Sequence, residues 1–239
     1  HRDLHSFPTR RSSDLENSKN ISMNLAIIIP AYNPPDTFSS LLIAIRKITS
    51  KVIIIIDDGS TPKINIEYSG VVILRNTQNQ GKGYSLIKGF QHAENEGFTH
   101  AITIDADSQH DPELINSFLE FDANINLVLG TRNFTEDMPI HRRISNKLTS
   151  YIISLLCRKT ILDSQCGYRR YKLKNVCSES FHETGFQFES EVLIKLLRNN
   201  CTHVNLGIPT IYSSENSSIH NFRDTLKFIR LILRNIIRD

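Results

Sequence analysis

The run Val52–Ile56 is five branched aliphatic residues in a row, and it breaks off into Asp57-Asp58-Gly59-Ser60. Successive side chains of a strand point to opposite faces, so an unbroken apolar strand must be covered on both. That is the condition of a strand inside a parallel sheet with helices on each side. The same pattern recurs. Leu25–Pro30 ends at Pro30, Val71–Leu74 is short, His100–Ile104 ends in Asp105-Ala106-Asp107, and Leu127–Leu129 makes a fifth strand. Between them lie helical segments. Phe38–Thr49 has Leu41, Leu42, Ile45 and Ile48 at helical spacing, and Gly81–Glu96 opens behind a glycine pair. A third helix starts at Asp111-Pro112-Glu113, with Asp111 as N-cap and Pro112 at the first helical position. This alternation predicts an α/β fold, a doubly wound, mostly parallel sheet with helices on both faces.

Composition narrows the classes. At 239 residues, the chain has room for one such domain or two small ones. A hydrophobic fraction of 39% with 22% charged residues excludes a disordered or fibrous chain. The cysteines at 157, 166, 177 and 201 form no CxxC pair, which argues against a zinc ribbon or a disulfide scaffold. No apolar run approaches the roughly 20 residues that span a bilayer. Residues 1–22 lack periodicity and an apolar core, and read as a non-native or disordered leader before Met23. Residues 1–129 carry 11 Lys+Arg against 15 Asp+Glu, a net of −4, and residues 130–239 carry 17 against 10, a net of +7. The basic half suits phosphate groups or an anionic membrane, or forms solvated helix faces. Nucleic acid is not an expected partner.

Ligands of doubly wound sheets bind beyond the carboxyl ends of the strands. Pro30-Ala31-Tyr32-Asn33, Asp57-Asp58-Gly59-Ser60 and Asp105-Ala106-Asp107 all fall there. Asp105 and Asp107 offer two hard oxygen donors near one point, suited to Mg²⁺ or Mn²⁺ holding a diphosphate. In Asn79-Gln80-Gly81-Lys82-Gly83, two glycines let backbone N–H groups approach an oxyanion and Lys82 adds charge. The spacing is that of neither a P-loop nor a dinucleotide fingerprint. No Ser-His-Asp order and no HExxH is present; His100 and His110 read as core or solvated histidines.

Six motifs follow one another in a telling order: Ile29-Pro30-Ala31-Tyr32-Asn33, Ile56-Asp57-Asp58-Gly59-Ser60, Asn79-x-Gly81-Lys82-Gly83, Asp105-Ala106-Asp107-x-Gln109-His110-x-Pro112, Gly130-Thr131-Arg132 and Asp163-x-Gln165-Cys166-Gly167-Tyr168-Arg169. Together, from about Leu25 to Phe228, the chain resembles glycosyltransferase family 2, in its dolichyl/polyprenyl-phosphate sugar synthase branch. The resemblance implies a GT-A fold, a GDP- or UDP-hexose donor, a divalent metal and inversion at the anomeric carbon. It implies that Pro30, Tyr32 and Asp58 hold the nucleoside, with Asp57 close by, and that Lys82 supports the nucleotide. Asp105, Asp107 and Gln109 would surround Mg²⁺ or Mn²⁺ and the diphosphate. Arg132 and Arg143, helped by Ser145, would bind the acceptor phosphate. Phe188-Glu189-Ser190-Glu191 matches the family's Phe-Glu-x-Glu helix. The family's acidic residue after Tyr-Asn is absent; Pro34-Pro35 stands there with Asp36 displaced, and reads as a rigid turn.

A lipid phosphate is already an anionic nucleophile and needs positioning more than a base. A saccharide hydroxyl would need one, and Asp163 is the leading candidate, with a structural role in its loop equally open. From Asn221 onward, Arg223, Lys227, Arg230, Arg234 and Arg238 recur at helical spacing, each one residue after an apolar position. Residues 216–239 thus read as a basic amphipathic helix appended to a catalytic domain over 23–215. It suits the interface of an anionic membrane, or docks on the domain or another subunit. The expectation is a peripheral enzyme at the cytoplasmic face of a membrane, acting on polyprenyl phosphate, with a separate membrane partner protein admissible. The competing expectations are a family 2 enzyme acting on a saccharide hydroxyl, a nucleotidyltransferase, and an inactive sugar-nucleotide-binding module.

Overall fold

The computed structural model describes residues 23–133, 140–209 and 221–236. The leader 1–22, residues 216–220, Ile237 and Arg238 lie outside them, as do the side chains of Phe222 and Arg223. In chain order the elements are β1 (Leu25–Ala31), α1 (Phe38–Ile48), β2 (Ile53–Asp57), β3 (Val71–Arg75), α2 (Lys82–Asn95), β4 (His100–Thr103), α3 (Leu114–Glu120), β5 (Leu127–Arg132), α4 (Ile140–Cys157), β6 (Arg169–Lys172), α5 (Leu173–Cys177), α6 (Phe188–Arg198), β7 (His203–Ile208) and α7 (Asn221–Ile236).

The strands form one sheet in the order β3-β2-β1-β4-β6-β5-β7, parallel except for β6, which runs antiparallel to both β4 and β5. Alternation along each strand feeds two cores. Leu25, Ile27, Ile29, Ile53 and Ile55 pack with Phe38, Leu42 and Ile45 of α1 and Phe118 of α3. Ala26, Ile28, Ile54 and Ile56 pack with α2, α4, α5, α6 and Leu231 of α7. Helices therefore cover both faces, as the continuous apolar runs require.

Helix α3 starts two residues later than the Asp111-Pro112 signal suggests. Asp111 does cap, but it caps a turn: its Oδ1 accepts the Glu113 N–H at 2.9 Å, and its carbonyl accepts the Leu114 N–H. Pro34-Pro35 is the rigid entry to α1, since the Pro35 carbonyl accepts the Phe38 N–H at 2.9 Å. The four cysteines are free. Burial pushes the Cys157 thiol up to about 11 and Cys166 up to about 12, so neither is poised as a thiolate.

His100 is fully buried and sets an acid limit on the fold. Its Nε2–H donates to the Ala123 carbonyl at 3.0 Å, while burial and the charges of Arg170 and Lys172 drive its pKa down to about 4. The unfolded chain takes up this proton near pH 6.5, before the folded chain does. Stability is therefore whole above that pH and is lost as pH falls toward 4, by up to about 3 kcal/mol. Urea midpoints at pH 7 and pH 4.5 should fall steeply for the wild type and hardly for His100→Gln. Equal slopes for the two would refute this.

Candidate active site

Because β2, β1 and β4 are neighbours, their polar carboxyl ends share one crevice. Tyr32 follows β1 and is 52% exposed. Pro30 lies two residues past the last β1–β4 pair, Ile28 with Thr103, where its missing N–H leaves no partner of β4 unmatched. Asn33 ties this end to the loop after β2: its N–H donates to Ser60 Oγ at 2.9 Å and its Oδ1 accepts the Thr61 N–H at 2.8 Å.

Asp57 and Asp58 are both buried, and the protein uses their oxygens. Asp57 accepts the N–H groups of Ser60 (2.8 Å) and Ile64 (3.2 Å) and pairs with Arg75. Burial opposes its charge, yet these donors hold its pKa below the usual carboxylate range. Asp58 accepts Asn76 Nδ2 (2.7 Å) and the N–H groups of Gln80 (2.9 Å) and Gly81 (2.8 Å). The two carboxylates expected at the nucleoside thus shape the loops that frame the crevice, and their own oxygens are engaged within it.

At the first turn of α2, Lys82 Nζ lies 2.7 Å from Asp105 Oδ1 and 3.1 Å from Glu189 Oε1. Burial disfavours the charges of Lys82 and Asp105. Their mutual attraction outweighs it, raising the Lys82 pKa and, with His110 at 3.7 Å, lowering that of Asp105. The His110 ring stacks obliquely on Tyr168, with centroids 5.1 Å apart. Asp107 shifts the other way: burial, then the charge of Asp105, raises its pKa. Its Oδ1 accepts the Gln109 N–H at 3.0 Å.

These residues fit a divalent cation. Two carboxylates that repel one another are what a dication relieves, and all the donors are hard oxygens. A Cβ on Gly167 would sit 2.7 Å from Asp105 Oδ2 and 2.8 Å from Glu189 Oε1, so glycine there leaves the carboxylates their space. Among the described residues no three His, Cys, Asp or Glu side chains gather as a complete ligand set. Gln109, water and phosphate oxygens would complete the shell, the usual manner for Mg²⁺.

Arg132 ends β5 and grips Asp163: Nε to Oδ2 is 2.7 Å and Nη2 to Oδ1 is 3.1 Å. Asp163 has no exposure and also accepts Asn146 Nδ2 (2.9 Å) and the N–H groups of Arg132, Gln165 and Cys166. Burial alone would raise its pKa, but Arg132 and Asn146 lower it. Its oxygens are taken up by these donors, which suits the structural of the two roles open to Asp163, holding Arg132 in place.

Beside Arg132 opens a cleft of about 850 Å³ between the end of β5, α4 and the loop after α4. Among its described lining residues, Arg132, Arg143, Lys147, Arg158 and Lys159 are basic and none is acidic. Tyr151, Leu155 and Leu162 supply an apolar, exposed rim. Of the two residues expected beside Arg132, Arg143 lines this cleft. Ser145 does not: two residues along a helix is about 200° around it. Ser145 lies outside the cleft lining, exposed, with its carbonyl accepting the Thr149 hydroxyl.

Residues 26–181 match the family model described as glycosyl transferase family 2. The chain belongs to glycosyltransferase family 2. Among its relatives, a UDP-N-acetylglucosamine–dolichyl-phosphate N-acetylglucosaminyltransferase of Methanococcus voltae is 29% identical, over 78% of this chain and 85% of that one. An undecaprenyl-phosphate mannosyltransferase of Micrococcus luteus is 25% identical, over 74% and 79%. Glucosyl-3-phosphoglycerate synthase from Mycobacterium tuberculosis, solved with Mg²⁺ and UDP, superposes with a TM-score of 0.72 at 16% identity, covering 96% of this chain and 84% of that one. The fold of this glycosyltransferase is thus GT-A.

Motif reading marks Glu189 without a partner and passes over Asn76 and Asn146. Glu189 and Glu191 sit two apart on α6 and so serve opposite sides, one facing Lys82 and the other turned toward α7. That phasing was legible; the partners were not. Asn76 and Asn146 are buried amides whose importance lies wholly in which carboxylate each meets.

Proposed function

We propose that this glycosyltransferase moves a hexose from a GDP- or UDP-linked donor to a polyprenyl phosphate at the surface of an anionic membrane. The observation that carries the reading is the cleft beside Arg132, whose described lining residues include five basic and no acidic side chains, with an apolar rim. Arg132 and Arg143 would hold the acceptor phosphate, with Arg132 kept in register by Asp163. A phosphate oxygen attacks the anomeric carbon, and the bond from that carbon to the nucleoside diphosphate breaks on the opposite face, inverting the centre. The phosphate attacks as an anion, so no proton need be removed. Bound by Asp105, Asp107 and Gln109, Mg²⁺ or Mn²⁺ would supply charge for the leaving diphosphate. A hydroxyl acceptor is disfavoured because its candidate base, Asp163, is locked on Arg132.

Two exposed apolar stripes support a lipid surface as the place of reaction. On α4 they are Ile140, Ile144, Leu148, Tyr151 and Leu155; on α7, Leu226, Ile229, Leu233 and Ile236. Each set fills an arc of about 80°. Helix α7 divides its apolar residues: Leu231 is buried, Phe228 and Ile232 pack on the core, and the opposite stripe stays outside. Docking and membrane contact, the two readings of this helix, use different faces. Lys227 and Arg230 are exposed on its flank, whereas Arg234 turns inward. No helix among the described residues is long and apolar enough to cross a membrane. Contact would be interfacial.

The decisive experiment incubates purified protein with Mg²⁺ or Mn²⁺, a panel of GDP- and UDP-hexoses, and dolichyl or undecaprenyl phosphate. A lipid-linked sugar is the expected product, and flotation with anionic but not neutral liposomes is expected alongside. Transfer to saccharide hydroxyls, with none to lipid phosphate, would overturn the reading.

A further inference from the structure

Arg234 is the residue of the α7 basic series that the membrane reading leaves unexplained. Its Nη2 lies 3.0 Å from Glu183 Oε1 and 3.3 Å from Glu191 Oε1. Glu191 has no side-chain exposure, and Lys195 Nζ lies 3.2 Å from the same oxygen. The second oxygen of Glu191 accepts the N–H groups of His182 (2.9 Å) and Glu183 (2.8 Å), so it fixes the backbone of the segment before α6. The next carbonyl, that of Thr184, accepts the Gly83 N–H at 2.7 Å and the Tyr84 N–H at 3.3 Å. Those are free donors of the first turn of α2, the turn that carries Lys82. The approach is close enough that a Cβ on Gly83 would lie 2.8 Å from the Glu183 carbonyl oxygen and 2.6 Å from Phe188 Cβ. Glu189, on the same helix as Glu191, shares Lys82 with Asp105.

We propose that Arg234 is a positioning residue of the donor site: it clamps the 182–184 segment, on which the start of α2 rests, and thereby fixes Lys82 against Asp105. The C-terminal helix is then a working part of nucleotide binding. Each link is a short polar contact between consecutive elements, α7 to α6, α6 to the 182–184 segment, and that segment to α2. One of the anchors, Glu191, is a fully buried carboxylate, whose position is sensitive to loss of a partner. The inference rests on the reading of the Asp105 crevice as the donor site.

The test uses the full chain as wild type, Arg234→Met and Arg234→Lys. Amide hydrogen exchange is followed at 182–184 and 81–84, and UDP and GDP binding with Mn²⁺ is measured by calorimetry well below the melting temperature. In Arg234→Met, exchange should rise about tenfold at both segments and the nucleotide Kd should weaken about five- to tenfold. Arg234→Lys should recover most of both. A purely structural role would lower the melting temperature and leave the nucleotide Kd of the folded protein unchanged. Faster exchange at 182–184 with wild-type exchange at 81–84 overturns the proposal, as does a nucleotide Kd in Arg234→Met equal to that of a wild-type protein that binds. A wild-type chain that binds neither nucleotide overturns the donor-site reading itself, whatever Arg234 does.

Discussion

Asp107→Ala should lower kcat/KM for sugar transfer by about a thousandfold or more, roughly 4 kcal/mol of transition-state stabilisation, without lowering the melting temperature. The two halves of this result have separate causes. On the proposed donor-site reading, Asp107 would hold the metal beside the donor's diphosphate, and a preorganised charged group there acts on the transition state far more than on the ground state. In the folded chain itself the carboxylate is a mild liability. Burial and the neighbouring charge of Asp105 raise its pKa, so its ionisation costs the folded chain more than the unfolded one. A neutral replacement at pH 7 therefore relieves repulsion, and stability stays level or rises. Asp105→Ala is the less clean experiment, because it takes from Lys82 one of its two carboxylates and from His110 the carboxylate 3.7 Å away. Radiolabelled transfer, thermal denaturation and Mn²⁺ titration on Asp107→Ala check all parts. Activity within tenfold of wild type, or undiminished Mn²⁺ binding, would remove Asp107 from the metal and catalytic assignment.

The parallel half of the sheet was legible because its strands carry their burial in their composition. Ile53 to Ile56 cannot be anything but covered on both faces, and the polar residues after them mark the carboxyl ends. Strand β6 defeats the same reasoning. Its sequence, Arg169-Arg170-Tyr171-Lys172, is polar by any scale, yet Arg169 and Arg170 are fully buried. Their charges are caged by main-chain carbonyls: Arg169 donates to Cys166, Ser164 and Glu189, and Arg170 to Phe118, Phe121 and Asp122. Apart from Cys166 and Ser164, those acceptors lie 20 or more residues away in sequence, so no local pattern announces them. In the site, motif order located the crevice and named Lys82, Asp105 and Arg132. It gave no account of how each is held. A pairing such as Asp163 with Arg132 spans 31 residues and exists only once β5 and the loop before β6 are side by side.

That pairing yields the second large effect. Asp163→Asn should destabilise the protein by about 3–5 kcal/mol, the usual cost of breaking a buried ion pair from one side, and should raise the acceptor KM by about ten- to a hundredfold. Asn keeps one oxygen but sets an NH₂ group among donors that converge on the site from Arg132, Asn146, Gln165 and Cys166. The guanidinium of Arg132 would swing from its clamp and meet the acceptor phosphate in the wrong place. Arg132→Lys probes the same unit with Asp163 intact. A lysine is a point charge that cannot make the two-pronged contact, so acceptor KM should rise by a similar factor. If the two residues act together, the double variant should be no worse at acceptor binding than either single one. A general base would behave otherwise. Asp163→Asn would then cut kcat by a thousandfold or more, leave acceptor KM alone, and abolish the acidic limb of the pH–rate profile. The lowered pKa of a carboxylate with no exposed surface favours the first pattern. Steady-state kinetics with polyprenyl phosphate from pH 5 to 9, on folded protein verified by circular dichroism, separates the two.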